Sequence, residues 1–114
     1  MDDSVTARML LRNILQTAGF EVKTANDGNA AFEFLRSDSF VLVVTDIEMA
    51  RMNGFQLTEK IRADRALKDI PVIILTSMTS QADRAHGVAA GANAYFVKSD
   101  FDEGNLLDVV ASLI

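Results

Sequence analysis

Along this chain, apolar positions switch repeatedly between a helical and an extended period. After Ser4, a candidate N-cap, they fall at Ala7, Leu10, Leu11, Ile14, Leu15 and Ala18, the three-and-four spacing of a helix with one buried face. Gly19 is a natural stop for that helix, because a left-handed residue costs glycine little. Phe20 to Ala25 alternates, with Phe20, Val22 and Thr24 on one side, and predicts a strand turned by Asn26-Asp27-Gly28. Asn29 to Ser37 reads as a short helix carrying Ala30, Ala31, Phe34 and Leu35. The run Phe40-Val41-Leu42-Val43-Val44-Thr45 is unbroken and β-branched, the pattern of a strand buried on both faces. A polar, Met-containing loop from Ile47 to Gly54 leads into a helix from about Phe55 to Asp64, with Leu57 and Ile61 inward. Pro71 opens a second apolar strand, Val72 to Thr76, where proline is acceptable at the first position. A small-residue helix from Gln81 to Ala90 ends at Gly91, and Ala94 to Val97 forms the last strand. The last helix runs from Asp102 to Leu113, with Leu106, Val110 and Leu113 on one face.

Helix and strand thus alternate with little loop between them. That order predicts an α/β fold, a doubly wound parallel sheet with helices on both faces. At 114 residues, without repeats, low-complexity tracts or linkers, residues 1–114 form a single domain. A formal net charge of −5 argues against a nucleic-acid partner and against an anionic membrane surface. There is no cysteine, which excludes disulfides and thiolate metal sites. No apolar stretch approaches the ~20 residues of a membrane span, and the N-terminus lacks a basic signal-peptide start.

The candidate chemistry sits where strands give way to helices. Asp46 ends the Phe40–Thr45 run, and a carboxylate there stands at the carboxyl edge of a parallel sheet, where open α/β folds bind ligands. The acid pair Asp2-Asp3 precedes the first helix, and Lys98 follows Tyr95-Phe96-Val97. Taken singly, each has a plainer role: Asp46 a turn former or cap, Asp2-Asp3 a pair favouring the helix dipole, Lys98 a surface lysine, Thr76 a strand residue. Together, two acidic sites and a lysine at such junctions suggest a metal-assisted phosphoryl site. His86, the only histidine, has no carboxylate near it in sequence and reads as a surface residue. Tyr95 reads equally as a half-buried sheet aromatic, and Met49, Met52 and Met78 as loop and gap-filling residues.

Asp2-Asp3, Asp46 with Met49 and Gly54 downstream, Thr76 after one apolar strand and Lys98 after another make the chain resemble the receiver domains of two-component response regulators over essentially its whole length. Val97-Lys98-Ser99-Asp100-Phe101-Asp102 and Ala7-Arg8-Met9-Leu10-Leu11-Arg12 look most like the C-terminal receiver of hybrid chemotaxis-type histidine kinases. The resemblance implies a flavodoxin-like receiver fold of strand order 2-1-3-4-5 and a cytoplasmic protein. It implies that Mg²⁺ is held by Asp3 and Asp46 directly, by Asp2 through water and by the backbone carbonyl of Glu48. Oxygen donors suit such a hard cation, and clustered carboxylates need a divalent cation to stay ionised together. Asp46 is then the nucleophile that takes a phosphoryl group from a phosphohistidine on a histidine kinase or histidine phosphotransfer domain. Lys98 neutralises charge on the phosphoryl oxygens, and the Thr76 hydroxyl bonds one of them. Movement of Thr76, coupled to Tyr95, alters the surface around the fourth helix and fifth strand, so that a local charge event biases a two-state element. Output passes to a downstream protein or fused domain, or the receiver serves as a phosphate sink.

Three departures stand out. Ala50 occupies a loop position that is usually proline in the family, and Ser99 replaces the proline that commonly follows the lysine, often through a cis bond. A cis Lys98–Ser99 bond costs ~3 kcal/mol without proline. The third is the family's first strand, which has no counterpart before Asp2. The expectation is that Met1 marks a truncation or a misplaced start, leaving a sheet that is destabilised or pairs its edges with another copy in a strand-exchanged oligomer. Two other readings stand beside the receiver: a pseudo-receiver that binds partners without phosphorylation, and a phosphatase with Asp46 as nucleophile and Glu48, two residues on, as general acid. The latter lacks the cap and substrate pocket it needs.

Overall fold

In the computed structural model, residues 3–25, 27–45, 52–76, 81–97 and 103–114 are described. Their order is α1 (Asp3–Thr17), α2 (Gly28–Ser37), β1 (Val43–Thr45), α3 (Gly54–Ala63), β2 (Val72–Thr76), α4 (Gln81–Ala90), β3 (Ala94–Val97) and α5 (Glu103–Leu113). The three strands form one parallel sheet in the order β1-β2-β3, with Thr45 beside Ile74 and Thr76 beside Val97. Their carboxyl ends therefore share an edge.

Alternation along β2 sorts the core into two layers. Val72 points to the α2/α3 side, where Phe32, Leu35, Leu57, Ile61 and Leu67 pack, and Ile74 meets Phe55 of α3. Ile73 points the other way, to Ile14 and Leu15 of α1 and to Leu106 and Val110 of α5. Helices on both faces are the doubly wound arrangement expected from the alternating pattern. Leu57, Ile61, Leu106 and Val110 are fully buried, as their spacing predicted.

Both glycine stops hold. Gly19 (φ 99°) and Gly91 (φ 107°) each take the left-handed conformation after a helix. At Gly19 the Phe20 N–H donates to Leu15 and the Gly19 N–H to Gln16, a paired closure of the helix end. Phe20 and Leu15 then meet in the α1/α5 core.

Three expectations are corrected, and α2 adds a detail of facing. Phe20 to Ala25 belongs to no strand, although Phe20 and Val22 are half-buried and Glu21 and Lys23 exposed in the expected alternation. Side-chain period alone makes no ladder: an extended segment needs a backbone partner, and none pairs with this one among the described residues. On α2, Phe32 rather than Phe34 faces inward, because the stripe runs through Gly28, Phe32 and Leu35 at i, i+4 and i+7. Phe34 is exposed, with the Lys23 ammonium 5.6 Å from its ring centre. The Phe40–Thr45 run pairs only from Val43 onward, and Val41 is 62% exposed, so this strand is not buried on both faces throughout. Finally, α1 already includes Asp3, so Ser4 lies inside the helix rather than capping it.

Candidate functional site

The carboxyl edge of the sheet is where the sequence concentrates its chemistry. β1 ends at Thr45, β2 at Thr76 and β3 at Val97, and the residues that follow in sequence are Asp46, Ser77 and Lys98. Thr45 and Val97 are buried at 6% and 5% exposure, so both flanking strands are held firmly up to their last residue. Thr76 lies at the last register position of β2, beside Val97. Asp3 opens α1. Asp2, Asp46, Glu48 and Lys98 lie outside the described residues, as do the side chains of Asp3 and Thr76 and the Lys98–Ser99 bond.

Carboxylates and a backbone carbonyl are the donor set that Mg²⁺ prefers, and the chain offers neither thiolate nor a histidine near these positions to favour a softer metal. Among the described residues no group of three or more His, Asp or Glu is placed to hold a metal ion. The proposed donors thus fit the cation by chemistry.

The rim of this edge is described in detail. Asp27 caps α2, its carboxylate accepting from the Ala30 N–H at 2.8 Å. Across from it, Asn53 caps α3 in a reciprocal pair: its side chain accepts from the Gln56 N–H at 2.8 Å, and the Gln56 side chain accepts from the Asn53 N–H at 3.0 Å. Gly28, the first residue of α2, packs against Met52 so closely that a Cβ there would stand 2.5 Å from the Met52 carbonyl oxygen. The spacing Asn53-x-x-Gln56 is a readable capping signature, whereas no local pattern announces the Gly28–Met52 approach.

Tyr95 is half-buried in β3, with the Arg84 guanidinium 5.0 Å from its ring centre. Gly87 of α4 makes room for that ring, since a Cβ there would lie 3.0 Å from Tyr95 Cδ2. His86 is exposed, as its sequence context suggested, yet its ring stacks on Phe55 with centroids 3.9 Å apart. It joins α4 to α3.

The opposite, amino-terminal edge is pinned by Arg62. Its guanidinium donates to the carbonyls of Gly91 (3.0 Å), Lys68 (3.0 Å) and Ile70 (2.6 Å) and to the Asn93 side chain (2.8 Å). The same Asn93 oxygen accepts from the Val72 N–H at 2.9 Å. A shallow apolar depression also lies at this edge, lined by Phe40, Val41, Ile70, Pro71, Leu113 and Ile114. It is remote from the strand ends that carry the candidate chemistry.

A parallel, doubly wound sheet with acids and a lysine in sequence at its carboxyl edge defines a class: single α/β domains that handle a ligand beyond their strand ends. The chain belongs to the response regulator receiver domain family, whose pattern matches residues 1–111. It is a receiver domain of two-component signalling, a phosphoacceptor of the chemotaxis-protein type. It is 37% identical over 99 residues to the chemotaxis protein CheY-3 of Vibrio cholerae, covering 86% of this chain and 76% of that protein. It is 36% identical over 100 residues to the gliding motility regulatory protein of Myxococcus xanthus, covering 88% of this chain but only 13% of that protein. Among solved structures, the signal receiver domain of a signal transduction histidine kinase from Syntrophus aciditrophicus superposes with a TM-score of 0.88 at 27% identity, covering 99% of this chain and 85% of that one. Among the described residues, no helix is long and apolar enough to cross a membrane.

Proposed function

We propose that Asp46 accepts a phosphoryl group from a phosphohistidine of a histidine kinase or histidine phosphotransfer domain. The observation that carries this reading is the shared carboxyl edge: three parallel strands end together at Thr45, Thr76 and Val97, and the chain continues from β1 into Asp46 and from β3 into Lys98. An Asp46 carboxylate oxygen forms a bond to phosphorus as the imidazole–phosphorus bond breaks, and the imidazole takes up a proton as it leaves. Mg²⁺, held by Asp2, Asp3, Asp46 and the Glu48 carbonyl, supplies charge neutralisation at the phosphoryl oxygens when bound. Lys98 neutralises a further oxygen and the Thr76 hydroxyl donates to another.

Signal output then runs through Thr76 and Tyr95. Tyr95 packs against α4, with the Arg84 guanidinium over its ring and Gly87 beside it. A displaced ring would therefore change the exposed face of that helix, which supports a switch read by a downstream protein or a fused output domain. The likeness to a receiver of a histidine kinase, together with the Val97–Asp102 segment, supports placement within a hybrid kinase, where the domain serves as switch or phosphate sink in the cytoplasm. A strand-exchanged pairing of this sheet with a second copy remains part of the reading, tested by the oligomeric state in solution.

Intact-protein mass after incubation with Mg²⁺ and acetyl phosphate tests the central claim. One metal-dependent phosphoryl adduct, absent from Asp46→Asn and from protein treated with a chelator, is expected. A folded chain that takes no adduct would instead be a phosphorylation-independent binding module, and turnover of a generic phosphoester would revive the phosphatase reading.

A further inference from the structure

We infer that Gly28 is a positioning residue for phosphotransfer: its bare Cα is the seat against which the loop carrying Asp46 is held. This rests on Asp46 being the phosphoacceptor. The loop between β1 and α3 has two ends, and the structure describes how both are held. One end leaves the buried Thr45. The other arrives at Met52 and Asn53, where Asn53 is locked as the cap of α3 by its paired bonds with Gln56. Beside the second end stands the first residue of α2. A Cβ on Gly28 would stand 2.5 Å from the Met52 carbonyl oxygen, 2.6 Å from Met52 Cβ and 3.0 Å from its Cγ.

Two of those three atoms are ones that a change of side-chain rotamer cannot move. Cβ atoms essentially never approach another heavy atom within 3.0 Å, so one side must yield by at least about half an ångström. α2 is poorly able to yield. Gly28 is itself buried, Asp27 fastens the helix start to Ala30, and Phe32 and Leu35 fix its inner face in the core. Nor is backbone conformation the reason for glycine here, because Gly28 is not among the positive-φ glycines. It is required by proximity alone. The displacement caused by a side chain at residue 28 therefore falls on Met52, six residues after Asp46 in sequence. Phosphoryl transfer depends on in-line placement of the attacking oxygen, and misplacement of ~1 Å costs on the order of a hundredfold.

The test compares wild type with Gly28→Ala and with Ala30→Gly, which weakens the same helix by ~1 kcal/mol without touching Met52. Three readouts are taken: cooperative thermal unfolding, the rate of phosphorylation by acetyl phosphate at saturating Mg²⁺, and hydrogen exchange of the 46–53 segment. Gly28→Ala is expected to fold, to exchange faster across 46–53, and to be phosphorylated roughly ten- to a hundredfold more slowly. Ala30→Gly is expected to melt earlier yet keep the wild-type rate and the wild-type exchange in that segment. Equal rates and exchange in Gly28→Ala and wild type overturn the proposal, as do equal losses in Ala30→Gly. If Gly28→Ala does not fold, Met52→Gly, which removes the Cβ and Cγ that rest on Gly28, replaces it under the same expectations. If wild type takes no phosphoryl group, the reading of Asp46 fails, while the exchange comparison still decides whether Gly28 holds the loop.

Discussion

Replacing Arg62 tests whether this domain is held together at the sheet edge remote from its chemistry. The guanidinium bridges three pieces of chain: α3, the Lys68–Ile70 segment before β2, and the Gly91–Asn93 turn before β3. Of its four hydrogen bonds, those to Lys68 and Asn93 are exposed, where water readily replaces the donor. Those to Gly91 and Ile70 are partly buried. Hydrogen bonds to charged groups contribute about 1.5–3 kcal/mol each, so counting only the two partly buried bonds, and discounting for partial exposure, gives a loss of about 2–4 kcal/mol for Arg62→Ala. With an unfolding entropy of about 2.1 cal/mol/K per residue, a 114-residue domain shifts by roughly 4 °C per kcal/mol, or roughly 8–17 °C in all. Arg62→Lys keeps the charge but not the planar fork, and it should recover less than half of the loss. Urea unfolding, with the slope checked for constancy, reads these values directly. A loss below about 1 kcal/mol in Arg62→Ala, or full recovery in Arg62→Lys, would show that the clamp is ornamental and that packing alone sets the edge.

Two further substitutions separate packing from capping. Ile61→Ala empties a fully buried position between α3 and the sheet and should cost about 2–5 kcal/mol by chemical denaturation, leaving the unfolding slope unchanged. Asn53→Ala removes one half of the reciprocal cap of α3 and should cost about 1 kcal/mol; no change in the midpoint would mean that Met52 and the core hold that helix start unaided.

The two edges of the sheet divide the work. At the amino-terminal edge, Arg62 and Asn93 tie loop carbonyls and a strand N–H into one network. At the carboxyl edge, the described contacts are those of the rim: two helix caps and the close approach of Gly28 to Met52. Under the proposed function, that partition would suit a domain whose chemistry must be placed accurately while part of its surface changes with phosphorylation.

Much of this was legible in the sequence because local chemistry encodes it. The three-and-four spacing placed Leu57, Ile61, Leu106 and Val110 inward, and the apolar run after Pro71 marked β2, which is buried from Val72 to Leu75. Gly19 and Gly91 ended their helices because only a residue without a side chain enters the left-handed region cheaply. The positions of Asp46, Thr76 and Lys98 relative to strand ends followed from chain order alone. Tertiary structure decided what local periodicity leaves open. Phe32 and Phe34 are both apolar and two residues apart, and only the position of the sheet selects Phe32 for the core. Phe20 to Ala25 has a strand's alternation in sequence but no ladder among the described residues, since pairing requires a neighbour that the segment cannot supply itself. Arg62 and Gly91 stand 29 residues apart, and their contact exists only once α3 and the turn after α4 are packed together. Gly28 is likewise ordinary in sequence, and its demand for a missing side chain arises only where Met52 crosses it. Period and turn chemistry act over a few residues, whereas close approach depends on where distant segments come to rest.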